Sequence, residues 1–439
     1  MAEVMTGQLR RVLGVVFGIA AIIGGTIGQG ILRAPGQVAA GVPDATIIMA
    51  AWIVVGLFSF VDAMSTVELA VAIRRTGGPY TFAERAFGPF VGLAVGLTDW
   101  VSNVAAIGYI SVVLGEYLHR MGLATAVPVG ALAALLPIAI GGIQLTGTRA
   151  AGRSQELGSA VKMLLFTMLI VALLFGPRGV PVVHAAPPVA VSILGVVAAL
   201  RAVIGTYNGW NGAAYYCEET VDPRRAITRA TFSGIAMVTA LYVLANLAFL
   251  RQVAPAAMAG DTLVAASATA GLFGPRADFY VTALSTISLV TIVNSSLMMY
   301  TRVLWGVARD RRVPVLNAVA ANGTPRTALL ATVAASALMA TVGLFDVLLA
   351  LSTALYAGMC ASVNLAALVL RRREPALERP YRMPLFPAPA LLALAVNTAL
   401  ATAFTIESPR SAGAGFALML AVTAIVQVAV GRSGRAATA

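Results

Sequence analysis

The sequence predicts an all-α polytopic membrane protein with about twelve transmembrane helices. Three observations carry that reading. Hydrophobic residues make up 59% of the 439 and charged residues only 11%, with a mean hydropathy of +0.87, a balance that soluble domains rarely reach. The apolar segments have helical length, and the alternating strands of a membrane barrel are absent. The positive charge is sorted by loop. Arg74, Arg75, Arg149, Arg153, Arg224, Arg225, Arg309, Arg311, Arg312 and Arg371–Arg373 follow even-numbered spans, while the opposite loops carry few, such as Arg120, Arg178 and Arg276. This positive-inside bias places both termini in the cytoplasm and accounts for the net charge of +12 without nucleic acid.

The spans fall near 12–40, 45–73, 88–118, 124–145, 156–176, 189–216, 230–250, 277–306, 327–343, 345–370, 389–406 and 412–431. Span 1 follows Arg10 and Arg11 and could imitate a signal peptide. It lacks a clear small-residue cleavage site and precedes many similar segments, so it reads as a retained span. Within it Gly24-Gly25-Thr26-Ile27-Gly28-Gln29-Gly30-Ile31 sets four glycines in seven positions. Each glycine costs about 1 kcal/mol of helix propensity against alanine. Gly24 and Gly28 also spell GxxxG, which can simply let helices approach.

Spans 2, 3 and 4 are continuous apolar helices, joined by loops too short for a separate soluble domain. Span 5 holds Lys162, the only lysine among 30 Lys+Arg. A charge inside a span is costly and marks function by default. Unlike arginine, a buried lysine can lose its proton, so it can serve as an internal cation or a proton carrier. The competing reading is a side chain snorkelling to the inner surface.

Span 6 repeats the oddity of span 1. Three glycines, two asparagines and a threonine interrupt Gly205-Thr206-Tyr207-Asn208-Gly209-Trp210-Asn211-Gly212. Spans 1 and 6 each begin a five-helix half, residues 12–176 and 189–370, and residues 389–431 supply two further helices. Matched breaks in two halves point to a transporter binding site. Unwound backbone at membrane depth is tolerated only where it lines a cavity or is buried in protein. Its half-helix N-termini suit a carboxylate and its C-terminal ends an ammonium. The second break favours unwinding over close packing in span 1. The remaining spans contribute isolated polar residues, such as Asn246, Asn294, Trp305 and Asn364, of the kind that bridge helices. Tyr109 in span 3 belongs with them.

Cys217 and Cys360 imply no disulfide framework, and His119 and His184 offer no metal-ligand cluster or enzyme motif. No cofactor is expected, and nothing points to an enzyme.

These residues together resemble the amino acid–polyamine–organocation superfamily, and within it the L-type amino acid transporter branch. Gly28-Gln29-Gly30-Ile31 with Pro35 is similar to the family's first-span signature, and Tyr207-Asn208-Gly209-Trp210-Asn211 to that of the sixth. Glu218-Glu219, then Pro223-Arg224-Arg225-Ala226-Ile227, resemble its acidic pair and the motif that follows. Glu68-Leu69, Gly77-Gly78-Pro79-Tyr80, Glu84–Gly88, Thr148–Lys162, Arg302–Leu304, Ala308-Arg309-Asp310, Gly323-Thr324-Pro325 and Arg379–Pro384 extend the match over most of the chain. The resemblance implies a LeuT-type fold of 5+5 inverted repeats plus two helices. Substrate would lie between spans 1 and 6, on Thr26–Ile31 and Gly205–Gly209. It also implies that Lys162 stands where relatives of the fold hold a sodium ion.

Two departures stand out. Gln29 replaces a small residue, and Gly205 replaces a phenylalanine that gates the substrate in relatives. A larger pocket or another gate is therefore expected. Arg33 and Arg201 lie just outside the breaks, either receiving a substrate carboxylate or paired with Asp62, Asp99 or Glu116. Trp210 is a further gate candidate. Glu218 and Glu219 are expected to form a cytoplasmic gate network with Arg224 and Arg225.

The expected function is sodium-independent secondary transport of amino acids across the cell (plasma) membrane by alternating access, as exchanger, uniporter or proton symporter. Protons and the lipid bilayer are the other expected partners. An organic-cation or polyamine carrier is the nearer alternative, and a non-transporting amino-acid sensor the further one. Loop 119–127 contains no cysteine, so no disulfide-linked partner subunit is expected.

Overall fold

In a computed structural model, the described residues are 9–28, 30–177, 192–341, 345–407 and 409–436. Gln29, Arg178 and His184 lie outside them. In chain order the helices are α1 (Val15–Thr26), α2 (Gly30–Gly41), α3 (Ala45–Ile73), α4 (Pro79–Phe87), α5 (Pro89–Arg120), α6 (Val129–Leu145), α7 (Thr148–Phe175) and α8 (Ile193–Tyr207). A 3-10 segment, Trp210–Tyr216, comes next. There follow α9 (Pro223–Gln252), α10 (Pro255–Met258), α11 (Val264–Phe273), α12 (Ala277–Asp310), α13 (Pro314–Asn317), α14 (Arg326–Thr341), α15 (Phe345–Arg373), α16 (Ala388–Glu407) and α17 (Pro409–Ala436).

Among the described residues, eight helical stretches are long and apolar enough to cross a membrane, and α1 with α2 forms a ninth, bent by 47°. The shorter apolar helices 129–145, 326–341 and 415–427 stand at the remaining expected spans. The chain is thus an all-α polytopic protein. Local chemistry sets the helix starts. The Asp44 carboxylate accepts from Ile47 N at 2.9 Å to open α3, and Ser192 Oγ accepts from Gly195 N at 3.0 Å to open α8. Proline occupies the first turn of α4, α5 and α9, where its missing N–H costs nothing.

The packing pairs the two halves: α2 lies on α8, α3 on α9, α5 on α12 and α6 on α14. The core between them holds Trp52, Tyr207 and Tyr242, with ring centroids of Tyr207 and Tyr242 4.9 Å apart, edge to face. One edge-to-face pair adds about 0.5–1.5 kcal/mol beyond area burial.

One face of the molecule gathers the loops that follow even-numbered spans. Thr76 N donates to Glu218, Arg75 pairs with Asp310, and Thr148 Oγ1 donates to Gly323 O. Residues Val12 and Leu13 join the same face through Glu219 O. Arg74 and Arg224 share Glu378 there, and Arg85 grips Glu374, whose carboxyl its hydrogen bonds hold below the ordinary value. Arg120 pairs with Asp278 at the opposite face. The sorting of loops by charge is therefore matched by their gathering in space.

Candidate functional site

The first break begins where α1 stops. Ile27 turns extended, φ −73° and ψ 107°, and the helix restarts at Gly30 as α2. The carbonyls loosened here find donors on three other spans. Lys162 Nζ donates to Gly24 O at 2.9 Å and to Ile27 O at 2.6 Å. Ser288 Oγ donates to Ile27 O and Tyr242 Oη lies 2.9 Å from Thr26 O. One turn earlier Ser159 and Ser295 donate to Ala20 O and Ala21 O. A buried backbone group without a partner is rare, so these side chains are what lets the helix open inside the protein.

Lys162 is fully buried, near the middle of α7 rather than at its edge. The helix starts at Thr148, eight residues before the expected entry at 156, because Gly147 takes φ +135° and ends the preceding turn. The Lys162 Nζ turns inward to the first break rather than outward along the helix. The ammonium sits at the C-terminal end of α1, where the helix dipole favours a cation.

The second break mirrors the first. α8 ends at Tyr207, Asn208 is extended, and Gly209 takes φ +113° before the 3-10 segment. That φ lies in the region where glycine alone is comfortable. A Cβ at Gly209 would come within 2.7 Å of Gly25 C and O, and one at Gly30 within 2.8 Å of Thr206 Cγ2. The two breaks thus lie directly against each other. Tyr242 Oη reaches Thr206 O as well, again at 2.9 Å, and Tyr207 Oη donates to Trp52 O at 3.1 Å.

The structure therefore brings Thr26, Ile27, Gly28, Gly30 and Ile31 together with Thr206, Tyr207, Asn208 and Gly209. The side chains of Ile27 and Ile31 are wholly buried in the core, and the Ile27 backbone is itself engaged, its N–H on Ile23 O and its carbonyl on Lys162 and Ser288. Gly205 is exposed, and a Cβ there would meet nothing within 4 Å. A larger side chain at this position would therefore meet no neighbour at its first carbon.

The acidic pair is placed on the Arg-rich face, but with other partners than expected. Glu219 takes a bidentate grip from Arg302, at 2.9 Å to each oxygen, and both side chains are at most 3% exposed. Arg302 also faces the Tyr216 ring at 5.6 Å. The backbone of Glu219 accepts from Val12 N and Leu13 N, and Leu13 O accepts from Val221 N. Glu218 pairs with Arg309. Arg224 instead meets Glu378, and Arg225 N caps on Asp222. Chain proximity suggested Arg224 and Arg225; folding delivers arginines 83 and 91 residues away.

Arg33 Nε donates to Thr262 O at 3.2 Å, and the Arg201 guanidinium lies 5.5 Å from the Phe404 ring centroid. Neither pairs with Asp62 or Asp99. Asp62 accepts from Asn364 and Asn397, and Asp99 from Asn103 and Tyr215. Trp210 is buried as the first residue after Gly209, on the Arg-rich side of the break. Asn294 does bridge spans, joining Gln144 to Gln155, whereas Asn246 turns back on Tyr242 O of its own helix.

Sequence reasoning missed Tyr242, Ser159, Ser288 and Ser295. A lone tyrosine or serine on an apolar helix carries no signal of its target. Only the break itself, with more carbonyls than partners, announces that donors must exist.

Comparisons with known proteins give the family of the chain. The description "Amino acid permease" belongs to a family whose model matches residues 13–429. The serine/threonine exchanger SteT of Bacillus subtilis (strain 168) is 25% identical over 426 residues, covering 94% of this chain and 95% of its own. The large neutral amino acids transporter small subunit 2 of Mus musculus is 27% identical, covering 94% of this chain and 80% of its own. The Asc-type amino acid transporter 1 of Homo sapiens is 27% identical, covering 94% and 81%.

Proposed function

The chain belongs to the amino acid permease family, and from that premise we propose that it is a sodium-independent secondary transporter of amino acids. It exchanges or carries them across the cell membrane by alternating access. The observation that carries the reading is the contact of the two breaks at Gly209 and Gly25, held by Lys162 and Tyr242. A zwitterion fits such a place. The N-terminus of α2, whose first N–H groups have no partner within the helix, suits the carboxylate. The C-terminal end of α8 suits the ammonium.

Lys162 supplies a fixed cation against span 1, in the role a sodium ion would otherwise take. The three relatives are all named for amino acids, which favours these over polyamines. We assign the Arg-rich face to the cytoplasm, by the positive-inside bias, and with it residues 9–14. The Glu219–Arg302 and Glu218–Arg309 pairs then close the cytoplasmic gate. The pairing of spans 2, 3 and 4 with 7, 8 and 9 supports reading residues 12–176 and 189–370 as inverted repeats.

The test is uptake of a panel of radiolabelled amino acids into proteoliposomes, with and without a sodium gradient. Counterflow of at least one amino acid, indifferent to sodium, is expected. No movement of any substrate would overturn the transport reading, and sodium dependence would overturn the role of Lys162.

A further inference from the structure

Beside the span-6 break, toward the Arg-rich face, lies a small cavity. Asp62 and Thr66 of α3, Asn211 and Tyr215 of the 3-10 segment, and Cys360 of α15 line it. Asp62 is 5% exposed. Its two donors, Asn364 Nδ2 at 2.8 Å and Asn397 Nδ2 at 3.0 Å, both take the same oxygen, Oδ1. No arginine or lysine pairs with it among the described residues. Two buried amide oxygens, Asn211 Oδ1 and Asn364 Oδ1, have no donor at all.

The polar path continues beyond the cavity. Asn211 Nδ2 lies 3.5 Å from Tyr215 Oη, and that hydroxyl donates to Asp99 Oδ2 at 3.0 Å. Asp99 is fully buried and receives Asn103 Nδ2 on its other oxygen. The titratable groups that face the two carboxyls are Tyr215, Tyr300, Tyr356 and Cys360. None of them carries positive charge.

An ionised Asp62 leaves this place with a buried charge and no cation, which is costly. It also leaves acceptors in excess of donors. One proton on Asp62 corrects both faults, because the charge disappears and the carboxyl gains an O–H to donate. Lys162 stands apart from this cavity, on span 5, with its Nζ on the carbonyls of Gly24 and Ile27.

We propose that Asp62 is a proton-binding site coupled to substrate transport, facing across its cavity the Asn211–Tyr215 pair that leads to Asp99. The inference rests on the transporter reading above. A proton entering with substrate forms one O–H bond on the Asp62 carboxylate. The same bond breaks on the cytoplasmic side and releases the proton, so the cycle restores the carboxylate and changes no other bond. Coupling follows from location. Asn211 and Tyr215 belong to the part of span 6 beyond Gly209, so movement of that part against α3 remakes the cavity wall.

The experiment measures two quantities on the same proteoliposomes: counterflow exchange without a gradient, and accumulation driven by an inward proton gradient. Wild type is expected to accumulate substrate well beyond equilibrium. In Asp62→Asn the ratio of accumulation to exchange should fall to near one, and Asp99→Asn should lower it in part. A pH-indicating dye in weakly buffered detergent solution should report proton uptake by wild type when substrate is added, which needs no variant to fold. Exchange with neither accumulation nor proton uptake overturns the proton site and leaves the transporter reading intact. Accumulation that survives Asp62→Asn, or that sodium drives instead, overturns it too. Absence of exchange in wild type refutes the transporter reading itself.

Discussion

Gly209 rests on the backbone of Gly25: a single added carbon at position 209 would stand 2.7 Å from the Gly25 carbonyl. The breaks of spans 1 and 6 are therefore one object, held at a separation that only hydrogen permits. Gly209→Ala should push them apart and strain a φ of +113°, a cost of about 1–3 kcal/mol. Detergent melting temperature and counterflow should both fall, the latter roughly tenfold. A variant as active as wild type would show that the breaks do not need this contact.

Tyr242→Phe removes the hydroxyl that serves Thr26 O and Thr206 O. Two buried carbonyls then lose their shared donor, at about 1–3 kcal/mol. The phenyl ring keeps its packing on Trp52 and Tyr207, so folding should survive. Substrate KM is expected to rise about tenfold, measured by saturation of uptake; an unchanged KM would place Tyr242 outside the site's support.

Lys162→Ala should reduce exchange at least about tenfold, because hydrogen bonds from a charged donor contribute about 1.5–3 kcal/mol each. Lys162→Arg should not rescue it. A planar fork of five donors cannot take the place of a compact ammonium on the Gly24 and Ile27 carbonyls. Uptake assays on both variants check this, and restoration by arginine would reduce the site's demand to charge alone.

Breaking the buried Glu219–Arg302 pair from one side strands a charge at about 3–5 kcal/mol. Glu219→Met and Arg302→Met should each therefore melt well below wild type in detergent. Combining Glu219→Met with Arg302→Met should recover much of the loss, and a double-mutant cycle reads the difference. Additive losses would mean the two residues stabilise the gate independently.

Gly205 faces open space, so Gly205→Phe has room for its ring. The variant is expected to fold normally and to lose its largest substrates first, which a competition panel ordered by side-chain size will show. A panel unaffected by the ring would remove Gly205 from the pocket.

The breaks and the lysine were legible in the sequence because each violates a local rule: glycine inside a helix, charge inside a membrane. The partners of Glu218 and Glu219 were not legible. Arg224 and Arg225 are near in the chain, but α9 carries Arg224 to Glu378, and α12 brings Arg302 and Arg309 in their stead. Asp62 and Asp99 were visible as charges, and an arginine partner was the natural expectation. Their actual neighbours are amides and a tyrosine, residue types too common in membrane helices to single out. Tyr242 and the supporting serines gave no signal, since their importance lies wholly in what stands opposite them.

The Tyr242 hydroxyl has one hydrogen and two claimants. At any instant it can donate to Thr26 O or to Thr206 O but not to both, and a rotating hydroxyl can pass its hydrogen between the two helices. Which helix holds that hydrogen is therefore also which break is tied to span 7, so a single bond rotation can loosen one half of the pair while it fastens the other.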